Sequence, residues 1–343
     1  PTRRELMNEA RLEKGAPPLE RSLAILNIDP PDHTRIRKLV AKAFTPRAVE
    51  RIRTTAGDQV DVILEDLAGR GEPIDLISEL AFPLPFSVIN EMLGMPPGGD
   101  TLQLRAWSHT ITQVLDPLLA MANPEAIIDA ATNMRGVIAE AIAWKRTRDD
   151  DDLLTAMIQA EEDGETLSDA ELLENVVLLF LAGHETTVNL IGNGTHALLE
   201  HPDQLARLVA DPSLDVNAVE ELLRYDSPVQ FSRRIALEPI EIGDHVVQPG
   251  EFVMTCLGAA NRDPHKFGPT AGELDLGRTD AREHVSFGSG VHHCLGAALA
   301  RLEGQEAIGR LVRRFPGIEA AGAPTHNGRL VLRGYDELPV ALG

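Results

Sequence analysis

From His33 to about Leu208, apolar side chains return at helical spacing, as at Val60, Ile63, Leu64 and Leu67, and strand-like alternation is nearly absent. This stretch reads as helices. Turn formers interrupt it at Pro83 and Pro85, at Met95 to Gly99, at Pro124 and at the acidic run Asp149 to Asp152, which read as loops inside a domain rather than linkers. One helix stands out. Ser168 and Glu171 fit a capping box, the pattern then continues to Glu200, and His201-Pro202 ends it. Past Ser227-Pro228 the texture changes: Ile235 to Leu237, Ile240 to Ile242 and Phe252 to Cys256 are short apolar stretches punctuated by Pro239, Gly243 and Pro249-Gly250, and predict small sheets. Leu295 to Phe315 returns to helix, and Arg329 to Arg333 with Leu338 to Leu342 flank Gly334 as a hairpin would. The expected class is mainly α with small β-sheets, one domain over residues 1–343, mostly helical over 29–226 and mixed over 227–343.

Composition narrows the function. With 43% apolar and 25% charged residues, the 343-residue chain can bury a full core. Its 53 acidic and 32 basic side chains leave a formal charge of −21, which repels phosphate backbones and anionic lipid. Nucleic acid and membrane are therefore not expected partners. Cys256 and Cys294 are too few to staple a secreted fold, so a cytoplasmic location is expected. The most apolar run, Val176 to Ala182, falls far short of the ~20 residues of a membrane span. No signal segment opens the chain, and its start at Pro1 reads as a cut or processed end.

Chemistry concentrates in Phe287-Gly288-Ser289-Gly290-Val291-His292-His293-Cys294-Leu295-Gly296, a glycine-loosened loop running into a helix. A cysteine at a helix start faces unpaired N–H groups and the positive dipole end, so Cys294 is expected to ionise more readily than a free thiol, as a ligand or a nucleophile. Gly288, Gly290 and Gly296 let backbone approach a flat group. The plainer reading makes Cys294 a small buried hydrophobe. A dinucleotide loop fails because His293 stands where a third glycine belongs; a zinc protease helix fails because Val188 follows His184 by one turn. A zinc site on His292, His293 and Cys294 stays open. Asn193-Gly194-Thr195 matches a glycosylation acceptor by chance.

A second anomaly is Ala182-Gly183-His184-Glu185-Thr186-Thr187, a polar group directly after an apolar run. Glycine there costs roughly 1 kcal/mol of helix propensity. Thr186 and Thr187 bonding back to carbonyls would distort the ladder and open a groove. Glu185 could supply protons there, or the patch is simply a polar helix contact. Glu221 and Arg224 form an i,i+3 pair, which on a surface contributes ~0–1 kcal/mol. Between His33 and Arg53, basic residues gather against Glu50 alone, as solvated helix or as a site for carboxylates or an acidic partner.

Together, and in this order, these motifs resemble the cytochrome P-450 family of haem-thiolate monooxygenases, over nearly the entire chain. Phe287-Gly288-x-Gly290-x-His292-x-Cys294-Leu295-Gly296 resembles the family's haem-binding loop, which makes Cys294 the iron ligand of haem b. Ala182 to Thr186 resembles the oxygen-activation motif, with Glu185 and Thr186 relaying protons. Glu221-x-x-Arg224 resembles the family's ion pair, completed by Arg278. The resemblance assigns propionate contacts to His33, Arg37, Arg234 and His292, and places a hydrophobic substrate against Leu178, Leu181, Ala182, Val229 and Phe231.

A thiolate ligand pushes electron density toward iron and favours O–O cleavage. The chain has no flavin or iron–sulfur pattern, so electrons are expected from a ferredoxin and its ferredoxin reductase. The ferredoxin would dock on a basic face including Arg35, Lys38, Lys42 and Arg301. The family normally has several dozen more residues ahead of Asp29-Pro30-Pro31. Residues 1–28 then correspond to its substrate-covering segment, and the larger sheet is expected to show an open edge. Arg233 departs from the small residue usual beside Arg234. The competing readings are a shortened haem binder without turnover and a zinc hydrolase.

Overall fold

The computed structural model describes Glu5 and residues 22–42, 44, 46–70, 73–162 and 164–343. Most of the segment expected to cover substrate, residues 1–4 and 6–21, lies outside the described residues. The helices that build the site are α1 (Asp32–Ala41), α2 (Pro46–Ala68), α3 (Pro83–Leu93), α4 (Thr101–Thr112), α5 (Pro124–Lys145), α6 (Asp169–Leu199), α7 (Pro202–Ala210), α8 (Asp215–Tyr225) and α9 (Ala297–Arg314).

Helix α6 is the axis of the molecule. Its start is closed reciprocally: the Glu171 N–H donates to Ser168 Oγ at 3.3 Å and the Ser168 N–H to Glu171 Oε2 at 2.9 Å. Its middle is apolar on nearly every side because neighbours cover it all round, with Val176, Phe180, Leu190, Ile191 and Leu198 each no more than 2% exposed. Two glycines admit α9. A Cβ on Gly194 would lie 2.9 Å from Ile308 Cδ1, and one on Gly304 would lie 3.0 Å from Leu190 Cδ2. Because 190 meets 304 and 194 meets 308, the two helices run in the same sense, and the start of α9 points back toward Gly183 to Thr186.

Prolines fall where they open helices. Pro83 and Pro124 occupy first turns, and Pro85 lies inside the start of α3, so Pro83, Pro85 and Pro124 mark helix entries rather than the expected loops. Gly94, at φ +65°, ends α3.

The strands are short: β1 (Ile74–Asp75), β2 (Glu161–Glu162), β3 (Glu165–Thr166), β4 (Phe231–Ile235), β5 (Ile240–Ile242), β6 (His245–Val247), β7 (Phe252–Cys256), β8 (Glu319–Ala320), β9 (Thr325–His326), β10 (Tyr335–Glu337) and β11 (Pro339–Ala341). β4 pairs antiparallel with β7, Phe231 opposite Cys256. Among the described residues β7 pairs with β4 alone, and Phe252 and Met254 on it are 64% and 43% exposed. The expected hairpin about Gly334 does not form. β10 pairs with β9, whereas β11 lies between β1 and β8, because Ile74 and Asp75 supply a distant partner that local alternation does not reveal. A single apolar cluster contains residues from Ile25 to Leu342. Among the described residues no helix is long and apolar enough to cross a membrane.

Candidate active site

Leu178, Leu181, Ala182, Glu185 and Thr186 keep accessible surface, while Val176, Val177, Leu179, Phe180, His184 and Thr187 around them are buried. Their spacing places them along one face of α6, a partly open strip, while Leu173, Glu174, Gly183 and Val188 are also partly accessible. Thr186 Oγ1 donates to the Ala182 carbonyl at 3.2 Å, which fixes the hydroxyl on that strip. The helix itself runs unbroken, against the expectation of a distorted ladder. Gly183 has another cause: a Cβ there would sit 2.7 Å from Ile89 Cδ1 of α3, so the position accommodates helix packing and the groove lies beside α6.

His184 points the other way, edge-on to Phe82, Phe86 and Phe180. Its Nδ1 lies 2.8 Å from the Phe180 carbonyl, and burial lowers its pKa to about 4, so the ring is neutral and donates through Nδ1. Glu185 differs. Burial raises its carboxyl pKa, opposed by the positive charges of Arg329 and Arg105 and reinforced by Asp336. Arg329 Nη1 stands 4.0 Å from Glu185 Oε2 and donates to Thr112 Oγ1 at 2.8 Å, while Nη2 donates to the His109 carbonyl at 2.8 Å. Glu185, Arg105, His109, Arg329 and Asp336 line a cavity of about 210 Å³. A carboxyl that burial makes hold its proton more tightly, beside a polar cavity on one side and the open strip on the other, is placed to carry protons.

The cysteine loop enters from α9. Gly288 and Gly290 adopt φ of +68° and +69°, and the Cys294 N–H donates to the Phe287 carbonyl at 2.9 Å, drawing the loop into a tight arch. A Cβ on Gly288, Gly290 or Gly296 would meet nothing within 4 Å. Phe287 packs against Leu190, Val219 and Leu223, which ties the arch to α6 and α8. Cys294 lies ahead of α9, whose cap residue is Gly296. Its thiol reaches the surface, yet crowding by the surrounding walls pushes its pKa up, more than the Gly296 N–H and the charges of Arg37 and Arg301 pull it down. This corrects the expectation of easier ionisation: in the protein alone, partial desolvation outweighs the helix start.

His33 is 2% exposed, and among the described residues neither of its ring nitrogens has a partner. Its ring centroid is 4.3 Å from that of His292, and its pKa is lowered by burial and then by the neighbouring His292 and Arg37 charges. Arg37 Nη2 donates to the His293 carbonyl at 2.6 Å, so α1 and the cysteine loop share one edge. Arg234 instead turns back along β4, donating to Ser232 Oγ at 2.6 Å and to the Arg233 carbonyl at 2.9 Å. Val229 and Phe231 are half-buried, Val229 bridged to Leu332. A buried imidazole lacking partners calls for an acceptor from beyond the described residues. With an arginine beside it, a reachable sulfur ligand and open space over three glycines, the residues present fit an iron porphyrin bearing carboxylates.

A cytochrome P-450 profile matches residues 8–211 and 214–321. The chain belongs to the cytochrome P-450 family. Cytochrome P-450 107B1 of Saccharopolyspora erythraea is 48% identical over 93% of this chain and 77% of its own length. Cytochrome P-450 monooxygenase PikC of Streptomyces venezuelae is 41% identical over 92% and 75%. The solved structure of the bacillaene polyketide synthase cytochrome P-450 PksS of Bacillus subtilis superposes with a TM-score of 0.87 at 40% identity, covering 93% of this chain and 81% of that one. The P-450 is therefore a haem-thiolate monooxygenase of bacterial type, its cofactor is haem b, and such enzymes take electrons from external redox partners.

In this P-450 the ion pair behind the loop is wholly buried. Glu221 and Arg224 are each 0% exposed, joined by Nε–Oε2 at 2.7 Å and Nη2–Oε1 at 2.8 Å. Arg224 further donates to the carbonyls of Asn261, Ala271 and Glu273, and Arg278 Nε reaches Glu221 Oε1 at 3.2 Å. Arg278 also donates to the Phe267 and Thr270 carbonyls. Among the described residues no three His, Cys, Asp or Glu side chains converge on a metal position, which removes the zinc reading of His292, His293 and Cys294. The basic face is partly spent internally: Arg35 pairs with Glu171, Lys42 donates to the Glu161 carbonyl, and Arg301 grips Glu220 at 2.8 and 3.1 Å. Lys38 is exposed. Sequence reasoning missed Arg329, Arg105, His109 and Asp336 around Glu185, whose assembly from distant segments leaves no local signal. It also missed Asn175, a lone amide between the apolar Leu172 and Val176 that could have been noticed.

Proposed function

We propose that this single-domain P-450 oxidises a hydrophobic small molecule seated on the open strip of α6, against Leu178, Leu181, Ala182, Val229 and Phe231. That strip carries the reading, since an apolar face left uncovered inside a packed helix is what an apolar ligand would cover. Haem b, when bound, supplies the oxygen activation and insertion chemistry. Cys294 holds the iron through its sulfur, with Phe287, Gly288 and Gly296 shaping the loop around it. His33, Arg37 and His292 would hold the propionates, with Arg234, here bonded to Ser232 and the Arg233 carbonyl, the fourth candidate. Thr186 offers its hydroxyl on the strip when it leaves the Ala182 carbonyl, and Glu185, whose hold on its proton burial strengthens and the Arg329 charge opposes, replenishes it from the polar cavity. Glu221, Arg224 and Arg278 hold the scaffold behind the loop. A ferredoxin, reduced by its own reductase, docks on the α1 face about the exposed Lys38. Reduction of the purified holoprotein under carbon monoxide is expected to give a strongly red-shifted Soret band, lost in Cys294→Ser. A band that survives this substitution would rule out Cys294 as the ligand.

A further inference from the structure

The accessible face of α6 does not stop at Glu185. Leu178, Ala182, Glu185 and Asn189 follow one another at helical spacing on one face, and Glu185 and Asn189 both line the polar cavity, so the strip runs on into it. From Leu178 to Asn189 this face measures about 16 Å along the axis at 1.5 Å per residue. Its character changes on the way. Leu178, Leu181 and Ala182 offer apolar surface at one end, whereas Arg105, His109, Arg329 and Asp336 line the other.

Two donors at the polar end have no acceptor among the described residues. Asn189 is 6% exposed and lines the cavity, yet its amide makes no hydrogen bond there. Arg105, half-buried on α4, rests its guanidinium 4.0 Å from the centroid of the Phe82 ring and has neither an ion pair nor a hydrogen bond. Arg329 differs, since its Nη1 and Nη2 already donate to Thr112 and to the His109 carbonyl. A guanidinium is always charged, and the planar fork of its N–H groups matches the two oxygens of a carboxylate. Charge narrows the choice of anion. Arg105 and Arg329 bring two positive charges and the exposed Asp336 one negative, while burial lowers the pKa of His109 and raises that of Glu185, holding each toward its neutral form. A surplus of one positive charge suits a carboxylate better than a phosphate dianion. The cavity of about 210 Å³ takes such a group with water beside it, at ~30 Å³ of liquid volume per water molecule.

We propose that the cavity is a carboxylate subsite, in which Arg105 and Asn189 bind the acidic head of an amphipathic substrate whose apolar body covers Leu178, Leu181 and Ala182. The substrate class is then an apolar acid rather than a neutral hydrocarbon. Asp336, a carboxylate on the same cavity, opposes the binding of the head. The inference rests on the strip being the face that an apolar ligand covers.

The test is isothermal titration calorimetry of the holoprotein at neutral pH with octanoate and 1-octanol, an acid and an alcohol of one chain length. Octanoate is expected to bind at least tenfold more tightly than 1-octanol, as a charge-assisted hydrogen bond to the head would give. Arg105→Met, which keeps an apolar stem against Phe82 and removes the fork, should bring octanoate to within threefold of 1-octanol while 1-octanol binds as in the parent. Asp336→Asn should tighten octanoate several-fold and leave 1-octanol unchanged, a gain that damaged folding would not produce. Parity of the two ligands in the parent, no saturable binding of octanoate, an equal loss of both in Arg105→Met, or unchanged octanoate affinity in Asp336→Asn would each overturn the subsite. Failure of the strip reading is separable. With the strip as the ligand face, Leu181→Asn weakens octanoate and 1-octanol alike; if it leaves both unchanged the strip is not that face, and the Arg105 dependence of octanoate still reports on the cavity.

Discussion

Replacing Arg224 by methionine tests whether the network behind the cysteine loop is a buried structural element or the ordinary surface pair that its i,i+3 spacing suggests. The guanidinium makes five hydrogen bonds, to both Glu221 oxygens and to the carbonyls of Asn261, Ala271 and Glu273, with no exposed surface. Methionine fills much of the volume and satisfies none of them. Breaking one partner out of a buried ion pair costs about 3–5 kcal/mol, and each orphaned carbonyl adds about 1–3 kcal/mol before relaxation. Glu221 retains Arg278 and the Asp275 N–H, which limits the loss, so about 4–6 kcal/mol is expected. At about 2.1 cal/mol/K of unfolding entropy per residue, the 343-residue chain converts this into a Tm lower by roughly 6–8 °C. Urea unfolding followed by far-ultraviolet circular dichroism measures the free energy directly. The double variant Glu221→Gln with Arg224→Met should lose markedly less than the two single losses combined, because no unpaired carboxylate then remains. A loss below about 1 kcal/mol in Arg224→Met, the range of an exposed pair, would refute the reasoning.

Two other substitutions probe α6. Gly183→Ala gains roughly 1 kcal/mol of helix propensity but drives a Cβ to 2.7 Å from Ile89 Cδ1, an overpacking cost of about 1–3 kcal/mol. Net destabilisation is expected, with Ile89→Val recovering stability in that background and lowering it in the parent, both read by urea titration. Glu185 has its pKa raised above the model-compound value of 4.5, so the unfolded chain releases this proton first and stability falls as pH climbs from that value through the raised one. Glu185→Gln should therefore flatten the stability profile above pH 4.5, whereas Arg329→Gln, by removing a charge 4.0 Å away, should extend the falling region to higher pH; identical slopes in all three proteins would contradict the assigned burial.

What could be read beforehand divides along a physical line. The capping box at Ser168 and Glu171, the extent of α6 and the glycine-rich arch before α9 are set by residues within a turn or a loop of each other, so their spacing carries the information. The resemblance to a haem-binding loop rests on the same kind of spacing, since a metal thiolate and the backbone approach around it demand particular residue types close together in the chain. Burial is not local. The spacing of Glu221 and Arg224 fits a surface pair equally well, and only the carbonyls delivered by the segment from Asn261 to Glu273 make it a core element. Gly334 failed as a hairpin turn because Ile74 and Asp75, far earlier in the chain, compete for β11. Cys294 followed the same rule: the helix start argues for a thiolate, and the walls that argue against it come from elsewhere. Polar residues inside the apolar body of α6 are the instructive case, because a buried amide or carboxyl must find a partner or change its protonation state. Asn175 found the Leu23 carbonyl and the Ile25 N–H, and the pKa of Glu185 rose. A sequence thus reveals where such a debt falls due, and only the assembled fold reveals which residue settles it.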